Sequence, residues 1–423
     1  MSRAVIAPGL LRGTVDIPAS KSAAHRAILC AALARGESRI SGVTHSADID
    51  ATLAAVRALG AKVDEQSGVL YIDGSNTGKL SGPVEIDCME SGSTLRFLLP
   101  VAAALGVPAR FTGCGRLPER PLSELTGLLA AHGAACTPEQ SGKTLPLTLS
   151  GRLSPGRYAL PGHISSQYVT GLLFALPLLP GESEITLTSP LESAGYVDLT
   201  LAMQRRFGVE IRERGGVYSV PQAAYRPCAH AVEGDWSQAA FFLLAAALGG
   251  TLSIRGLDPD SAQGDRAALP LFSALGARAR FENGVLTAQP GPARPVDVDV
   301  SQIPDLAPAL AVAMAYAPGR SVICGAARLR AKESDRLAAI AAGLRRMGVR
   351  VEEEADRLII HGGVPFPGGT VDGFCDHRIV MAFAMGAAAA AQEVCITDAQ
   401  AVEKSYPAFF DDFEKLGGKV HVI

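Results

Sequence analysis

Six times along the chain, a helix-period pattern ends in an apolar or aromatic residue, then a glycine, then a short strand pattern. The six are Leu59-Gly60, His132-Gly133, Phe207-Gly208, Leu275-Gly276, Met347-Gly348 and Leu416-Gly417, recurring about every 70 residues. Glycine at such a place accepts the left-handed conformation that stops a helix. Before each of these helices lies another, nearly all apolar, over 22–35, 93–105, 165–179, 237–248, 305–317 and 377–391. A helix that is apolar all round is buried on every side. A short strand links the two helices, as in Ser38-Arg-Ile-Ser, and two more close the unit, as in Lys62-Val-Asp-Glu and Val69-Leu-Tyr-Ile-Asp. The pattern is βαβαββ, repeated six times. Its period exceeds the 20–50 residues of solenoid repeats, so the units are expected to pack in threes around their buried helices.

The sixth unit is cut short, since Gly417-Gly-Lys-Val-His-Val-Ile423 leaves no room for its last strand. Arg3-Ala-Val-Ile-Ala7 precedes the first unit and is expected to supply it. One domain is then discontinuous, 1–12 plus 229–423, with 13–228 inserted as the other. Two domains also suit a chain of 423 residues, too long for one ordinary core. A ligand is expected in the cleft between them.

Composition narrows the function. A net charge of −3 with no Lys/Arg run gives no reason to expect nucleic acid. The eight cysteines are scattered without metal-binding spacing and read as reduced thiols of a cytoplasmic protein. The longest apolar runs, Val169–Leu179 and Ala382–Ala391, fall short of the roughly 18 residues of a membrane span.

The chemistry gathers where the buried helices begin. These starts read Lys21-Ser22…Arg26, Ser91-Gly92-Ser93…Arg96, Ser165-Ser166-Gln167, Asp235-Trp-Ser237-Gln238, Asp305 and Asp376-His377-Arg378. Ser and Asp suit plain N-capping, and solvated cations beside a cap account for any one start. Capping does not account for Arg26, Arg96, Gln167 or Arg378 one turn into helices meant for a core. A buried cation needs a partner, so either a carboxylate lies nearby or an anion binds at the helix N-terminus. Gly115-Arg116-Leu-Pro-Glu-Arg120-Pro adds two arginines. Arg330-Ala-Lys332-Glu333-Ser-Asp335-Arg336 sets Lys332 and Arg336 four apart, a repulsive pair on a helix unless an anion sits between.

Taken together, Pro18-Ala-Ser-Lys21-Ser22…Arg26, Glu90-Ser-Gly-Ser-Thr-Leu-Arg96, Arg116-Leu-Pro-Glu-Arg120-Pro, Ser165-Ser166-Gln167, Leu329-Arg-Ala-Lys332-Glu333-Ser-Asp-Arg336 and Asp376-His377-Arg378 resemble the motifs of the 3-phosphoshikimate 1-carboxyvinyltransferase (EPSP synthase) family, in order and over the full length. The resemblance implies a two-domain, inside-out α/β barrel-like fold of six βαβαββ repeats, three per domain, with the ligand cleft between domains. It implies transfer of the enolpyruvyl group of phosphoenolpyruvate to the 5-hydroxyl of shikimate 3-phosphate, with no metal or organic cofactor; separately, a monomer is expected. It places shikimate 3-phosphate on Lys21, Ser22, Arg26, Ser165, Ser166, Gln167, Ser193, Asp305 and Lys332, with Tyr196 by the ring. It places phosphoenolpyruvate on Lys21, Gly92, Arg120, Gln167, Arg336, Arg378 and Lys404.

That chemistry needs a base for the hydroxyl and an acid for the enol carbon, which two carboxylates with separated pKa values can provide. Asp305 is taken as base and Glu333 as acid, with His377 and Lys21 tuning the charge. Glu90 stands where many members carry asparagine, a change that bears on glyphosate binding, and Arg328 also replaces an asparagine. Two rivals remain open on the sequence. UDP-N-acetylglucosamine enolpyruvyl transferase uses a loop cysteine, for which Cys114 is the match, but its N-terminal Lys-Asn and its Cys-x-x-Gly-x-Arg-Pro loop are absent. A non-catalytic anion-binding module has no use for Asp305 and Glu333, which weaken anion capture.

Overall fold

In the computed structural model, which describes residues 2–423, the chain divides into two compact units. One comprises the residues up to Pro18 with Glu233–Ile423, the other Ala19–Val232. Each holds three repeats around its own apolar core. The six inner helices are Lys21–Leu33, Gly92–Leu105, Ser166–Ala175, Trp236–Ala247, Ala307–Tyr316 and His377–Ala387. All are buried along most of their length, as their lack of a polar face requires. Several stop short of the sequence expectation. The third ends at Ala175 because Pro177 offers no N–H to continue it, and a 3-10 turn, Leu176–Leu178, follows. Asp305 lies in a 3-10 turn, Pro304–Leu306, ahead of the fifth inner helix rather than opening it. Among the described residues, no helix is long and apolar enough to cross a membrane.

The strands form six four-stranded sheets. Each has one parallel and two antiparallel pairings, and in repeats two, three, five and six the parallel partners are the strands before and after the inner helix. Two first strands are exchanged. Arg12–Asp16 precedes the first inner helix yet pairs in parallel with Thr251–Arg255 of repeat four. Ala229–Ala231 precedes the fourth yet pairs with Glu37–Ser41 of repeat one. The unit boundaries therefore fall at Pro18 and Val232, a few residues beyond the expected 12 and 228, because each crossing segment first completes a sheet. Arg3–Ala7 lies antiparallel between Val394–Thr397 and Lys419–Val422, occupying the place left in the sixth repeat.

Where inner helices meet, small details set the spacing. Pro100 lies inside the second inner helix and cannot donate to the carbonyl of Arg96. Gly171 of the third packs onto that oxygen; a side-chain carbon there would lie 2.2 Å from it. The two helix starts, with Arg96 and Gln167, are thereby brought together.

Candidate active site

In the Ala19–Val232 unit, Ser20 caps the first inner helix by accepting from the Ala23 amide, so Lys21 and Ser22 belong to its first turn. Lys21 donates to Asp48 at 2.7 Å, and Asp48 is itself buried in the first turn of the helix Ala47–Ala58. Asp48 is a partner of Lys21 that the sequence reading missed. Arg26 is buried and its acceptors are neutral: Thr200 Oγ1 at 2.8 Å, the Ser22 carbonyl at 2.7 Å and the Tyr196 carbonyl at 2.8 Å. Its guanidinium also lies over the rings of Phe97 and Tyr196. Burial lowers its pKa to about 10. A cation held by dipoles and ring faces keeps an uncompensated positive field for an incoming anion.

Ser91 caps the second inner helix through the Thr94 amide. Arg96 donates to Gln167 Oε1 at 3.2 Å and to the Pro121 carbonyl at 3.0 Å, while Gln167 donates to Ser93 at 3.0 Å. Ser165 caps the third inner helix by accepting from the Gln167 amide, and Ser166 is buried in its first turn. Gly92 sits beneath two guanidiniums: a Cβ on it would lie 2.5 Å from Arg96 Nη1 and 3.0 Å from Arg120 Nη1. The carboxylate of Glu90 covers the α-carbon of Gly115, and Cys114 beside it is exposed. Ser193 is buried in a left-handed conformation at the head of the helix Ala194–Arg206. A hydroxyl chain ties three helix starts together: His25 Nδ1 to Thr52, Thr52 to Thr94 and Thr94 to Ser91, each at 2.7 Å.

In the unit containing Glu233–Ile423, charged groups interlock. Asp305 meets Lys332 at 3.4 Å and Arg336 at 3.1 Å through Oδ1, and Arg378 at 3.1 Å through Oδ2. Arg336 is 1% exposed and also engages Glu333 at 2.7 Å and Asp376 at 2.9 Å. Asp376 caps the sixth inner helix through the Arg378 amide and accepts from Ser334 as well. The sequence reading treated it as a cap alone; its second task is to clamp Arg336. Arg378 donates to Ser237 at 3.1 Å. His377 is buried beside Asp376, with Nδ1 3.9 Å from its carboxylate. Lys404 is buried at the end of the 3-10 helix Ala399–Lys404, and the following Ser405 accepts from Gln238 at 3.2 Å.

Lys332 and Arg336 do not share a helix, since Asp335 caps Arg336–Arg346 and Lys332 precedes it. Asp305 touches both cations, so a carboxylate of the chain supplies the anion that their spacing demanded. Three cations face three carboxylates here, and this sets the protonation states. Burial works to raise the Asp305 pKa, but Arg378, Lys332 and Arg336 outweigh it and hold the carboxyl well below its usual range. Burial lowers the Lys332 pKa against the pull of Asp305. Burial also opposes the charge on Arg336, yet Asp376, Glu333 and Asp305 raise its pKa, fixing it as a cation. Asp305 is thus ionised and able to accept a proton, and Glu333 stands on the same guanidinium.

The sequence model of the EPSP synthase (3-phosphoshikimate 1-carboxyvinyltransferase) family matches residues 5–413. A 3-phosphoshikimate 1-carboxyvinyltransferase of Clostridium kluyveri is 43% identical over 98% of this chain and 97% of the relative. One of Clostridium perfringens is 41% identical over 99% of both. The fold matches the solved structure of an EPSP synthase of Acinetobacter baumannii with a TM-score of 0.82 over the whole of both chains, at 27% identity. It also matches the enolpyruvyl transferase NikO of Streptomyces tendae with a TM-score of 0.80, a likeness of fold alone at 20% identity. With its motifs, its six repeats and these relatives in agreement, the chain belongs to the EPSP synthase family.

Proposed function

We infer that the chain transfers the enolpyruvyl group of phosphoenolpyruvate to the 5-hydroxyl of shikimate 3-phosphate, releasing phosphate, a step of aromatic amino acid biosynthesis. The observation that carries the mechanism is the sharing of one buried guanidinium, Arg336, by Asp305 and Glu333. Asp305 takes the hydroxyl proton as the oxygen attacks C2 of phosphoenolpyruvate, and Glu333, which must enter this step protonated, gives its proton to the methylene carbon, yielding a tetrahedral phosphate ketal. In the collapse Glu333 recovers a proton from the new methyl group. The C–O bond to phosphate breaks, and the proton held by Asp305 leaves with the phosphate. Both carboxylates return to their starting states, and the two substrates supply every atom.

The substrate anions are proposed to take over cations that the free protein spends on its own carboxylates. Phosphoenolpyruvate is assigned to Lys21, Gly92, Arg120, Gln167, Arg336, Arg378 and Lys404. Shikimate 3-phosphate is assigned to Lys21, Ser22, Arg26, Ser165, Ser166, Gln167, Ser193, Asp305 and Lys332. His377, buried against Asp376, and Lys21 tune the field. As Lys332 and Arg378 turn to the substrates, the pKa of Asp305 rises from its depressed value, making it a better base at the moment of attack. Phosphate release from phosphoenolpyruvate tests the function. It is expected only when shikimate 3-phosphate is present; release with UDP-N-acetylglucosamine instead, or none with either, refutes the reading.

A further inference from the structure

Among the described residues, seven non-glycine residues have positive φ, and three of them meet at one joint: Phe374 at 53°, Cys375 at 50° and Asp398 at 54°. L residues with side chains avoid this region, and positions held there cluster where function needs a fixed geometry. Phe374 and Cys375 lie directly before Asp376-His377-Arg378. Asp398 heads the 3-10 helix that ends at Lys404. The joint therefore connects the two segments of this unit that carry Arg378 and Lys404.

Its ties are specific. The Phe374 amide donates to Asp372 Oδ1 at 2.7 Å, and the Gly373 amide to Thr397 Oγ1 at 3.1 Å. The Cys375 amide donates across the joint to Asp398 Oδ2 at 3.1 Å. Gly373 packs on the backbone of Thr397, where a Cβ would lie 2.2 Å from the carbonyl oxygen. The equivalent joints of repeats two and four are tied backbone to backbone, by the Cys114 amide on the Met89 carbonyl and the Gly234 amide on the Gly256 carbonyl. Repeat six uses a carboxylate instead. Asp398 is 5% exposed, and its Oδ1 is buried without a hydrogen-bond partner. A buried carboxylate with half its acceptors unused is a poor choice for stability alone.

We propose that Asp398 is a positioning residue for phosphoenolpyruvate: its carboxylate braces the left-handed Phe374–Cys375 turn, so that Arg378 and Lys404 are held at a fixed separation. The brace is a single hydrogen bond, accepted by Oδ2. It rests on the assignment of Arg378 and Lys404 to phosphoenolpyruvate made above.

The test compares Asp398→Asn, Asp398→Gly and Asp398→Ser in the full chain. Asparagine tolerates the left-handed region and keeps an acceptor; glycine relieves φ but loses the acceptor; serine is too short to reach the amide. Two readouts are taken, KM for each substrate and hydrogen exchange at the Cys375 amide. Asp398→Gly is expected to raise KM for phosphoenolpyruvate about tenfold with KM for shikimate 3-phosphate within threefold, and to speed Cys375 exchange at least tenfold. Asp398→Asn is expected to stay within threefold of the parent protein in every readout. If Asp398→Gly does not fold, Asp398→Ser carries the same expectation. An unchanged KM for phosphoenolpyruvate, equal rises in both KM values, or an Asp398→Asn as impaired as Asp398→Gly overturns the proposal. If the parent protein shows no phosphate release dependent on shikimate 3-phosphate, the functional assignment fails. The exchange rates then decide for or against the brace by themselves.

Discussion

Gly92→Ala separates two uses of glycine at a helix start. Gly92 is the first residue of a helix and has no positive φ, so alanine meets no backbone penalty there. The added methyl instead meets Arg96 Nη1 at 2.5 Å and Arg120 Nη1 at 3.0 Å. An ordinary carbon–nitrogen contact of about 3.4 Å requires Arg96 Nη1 to retreat by ~0.9 Å and Arg120 Nη1 by ~0.4 Å. The displaced atoms are the far ends of long side chains, held by hydrogen bonds such as those of Arg96 to Gln167 and the Pro121 carbonyl rather than by packed backbone, so the fold absorbs this shift. The anion proposed to bind at Arg120, with Arg96 beside it, does not. At an effective dielectric of about 20, moving a unit charge from about 4 Å to 4.4–4.9 Å loses roughly 0.4–0.8 kcal/mol. For a phosphate near −2 the loss approaches ~1.4 kcal/mol, or about tenfold in affinity. KM for phosphoenolpyruvate should rise about tenfold, KM for shikimate 3-phosphate less than threefold, and the melting temperature should stay within about 2 °C. Steady-state kinetics with each substrate varied in turn, alongside calorimetry, reads all three. Equal rises in both KM values with a lowered melting temperature would refute the clearance argument.

Glu333→Gln and Asp305→Asn keep shape but remove proton transfer, and each should lower kcat by roughly 10²–10⁴ with binding within a few-fold by calorimetry. Cys114→Ser should retain near-parental turnover, because the exposed thiol has no part in the proton transfers; a covalent pyruvyl adduct on Cys114 in mass spectra would contradict this. Arg378, Lys332 and Arg336 hold the Asp305 carboxyl well below the usual carboxylate range, so its ion pairs add stability above that range and lose it as pH falls through the folded-state value. Asp305→Asn should therefore destabilise the protein at pH 7 by about 3 kcal/mol. The difference in denaturation midpoint should narrow below about pH 4, and a gap that stays constant from pH 7 to pH 3 would remove Asp305 from the charge cluster.

What was legible in the sequence was local or periodic. The inner helices announce themselves by apolar faces on every side, and Ser20, Ser91, Ser165 and Asp376 by the side chains a first turn wants. The vacancy in the sixth repeat was legible too, because the period exposed what was missing. Pairings between distant segments were not. Nothing near Arg12–Asp16 shows that it pairs with Thr251–Arg255 and leaves repeat one to Ala229–Ala231. Asp48 reads as a first-turn acid that suits the helix dipole, and only the fold reveals Lys21 beside it. Lys332 and Arg336 looked like a repelling helical pair, whereas Asp335 starts the helix between them and Asp305 arrives from another repeat.

The position of Arg3–Ala7 has a consequence for how the chain acquires its structure as it is made. This strand emerges from the ribosome roughly 400 residues before both its neighbours, Val394–Thr397 and Lys419–Val422. The Ala19–Val232 unit is contiguous, and its last strand, Ala229–Ala231, closes its first sheet. It can fold while synthesis continues. Arg3–Ala7 meanwhile waits with its backbone groups unpaired and its apolar Val5 and Ile6 uncovered, a strand edge open to the wrong partner. Protection of this segment is therefore most needed during translation, by a chaperone or by speed, and a ribosome stalled before residue 394 should leave it sensitive to protease while the unit Ala19–Val232 resists.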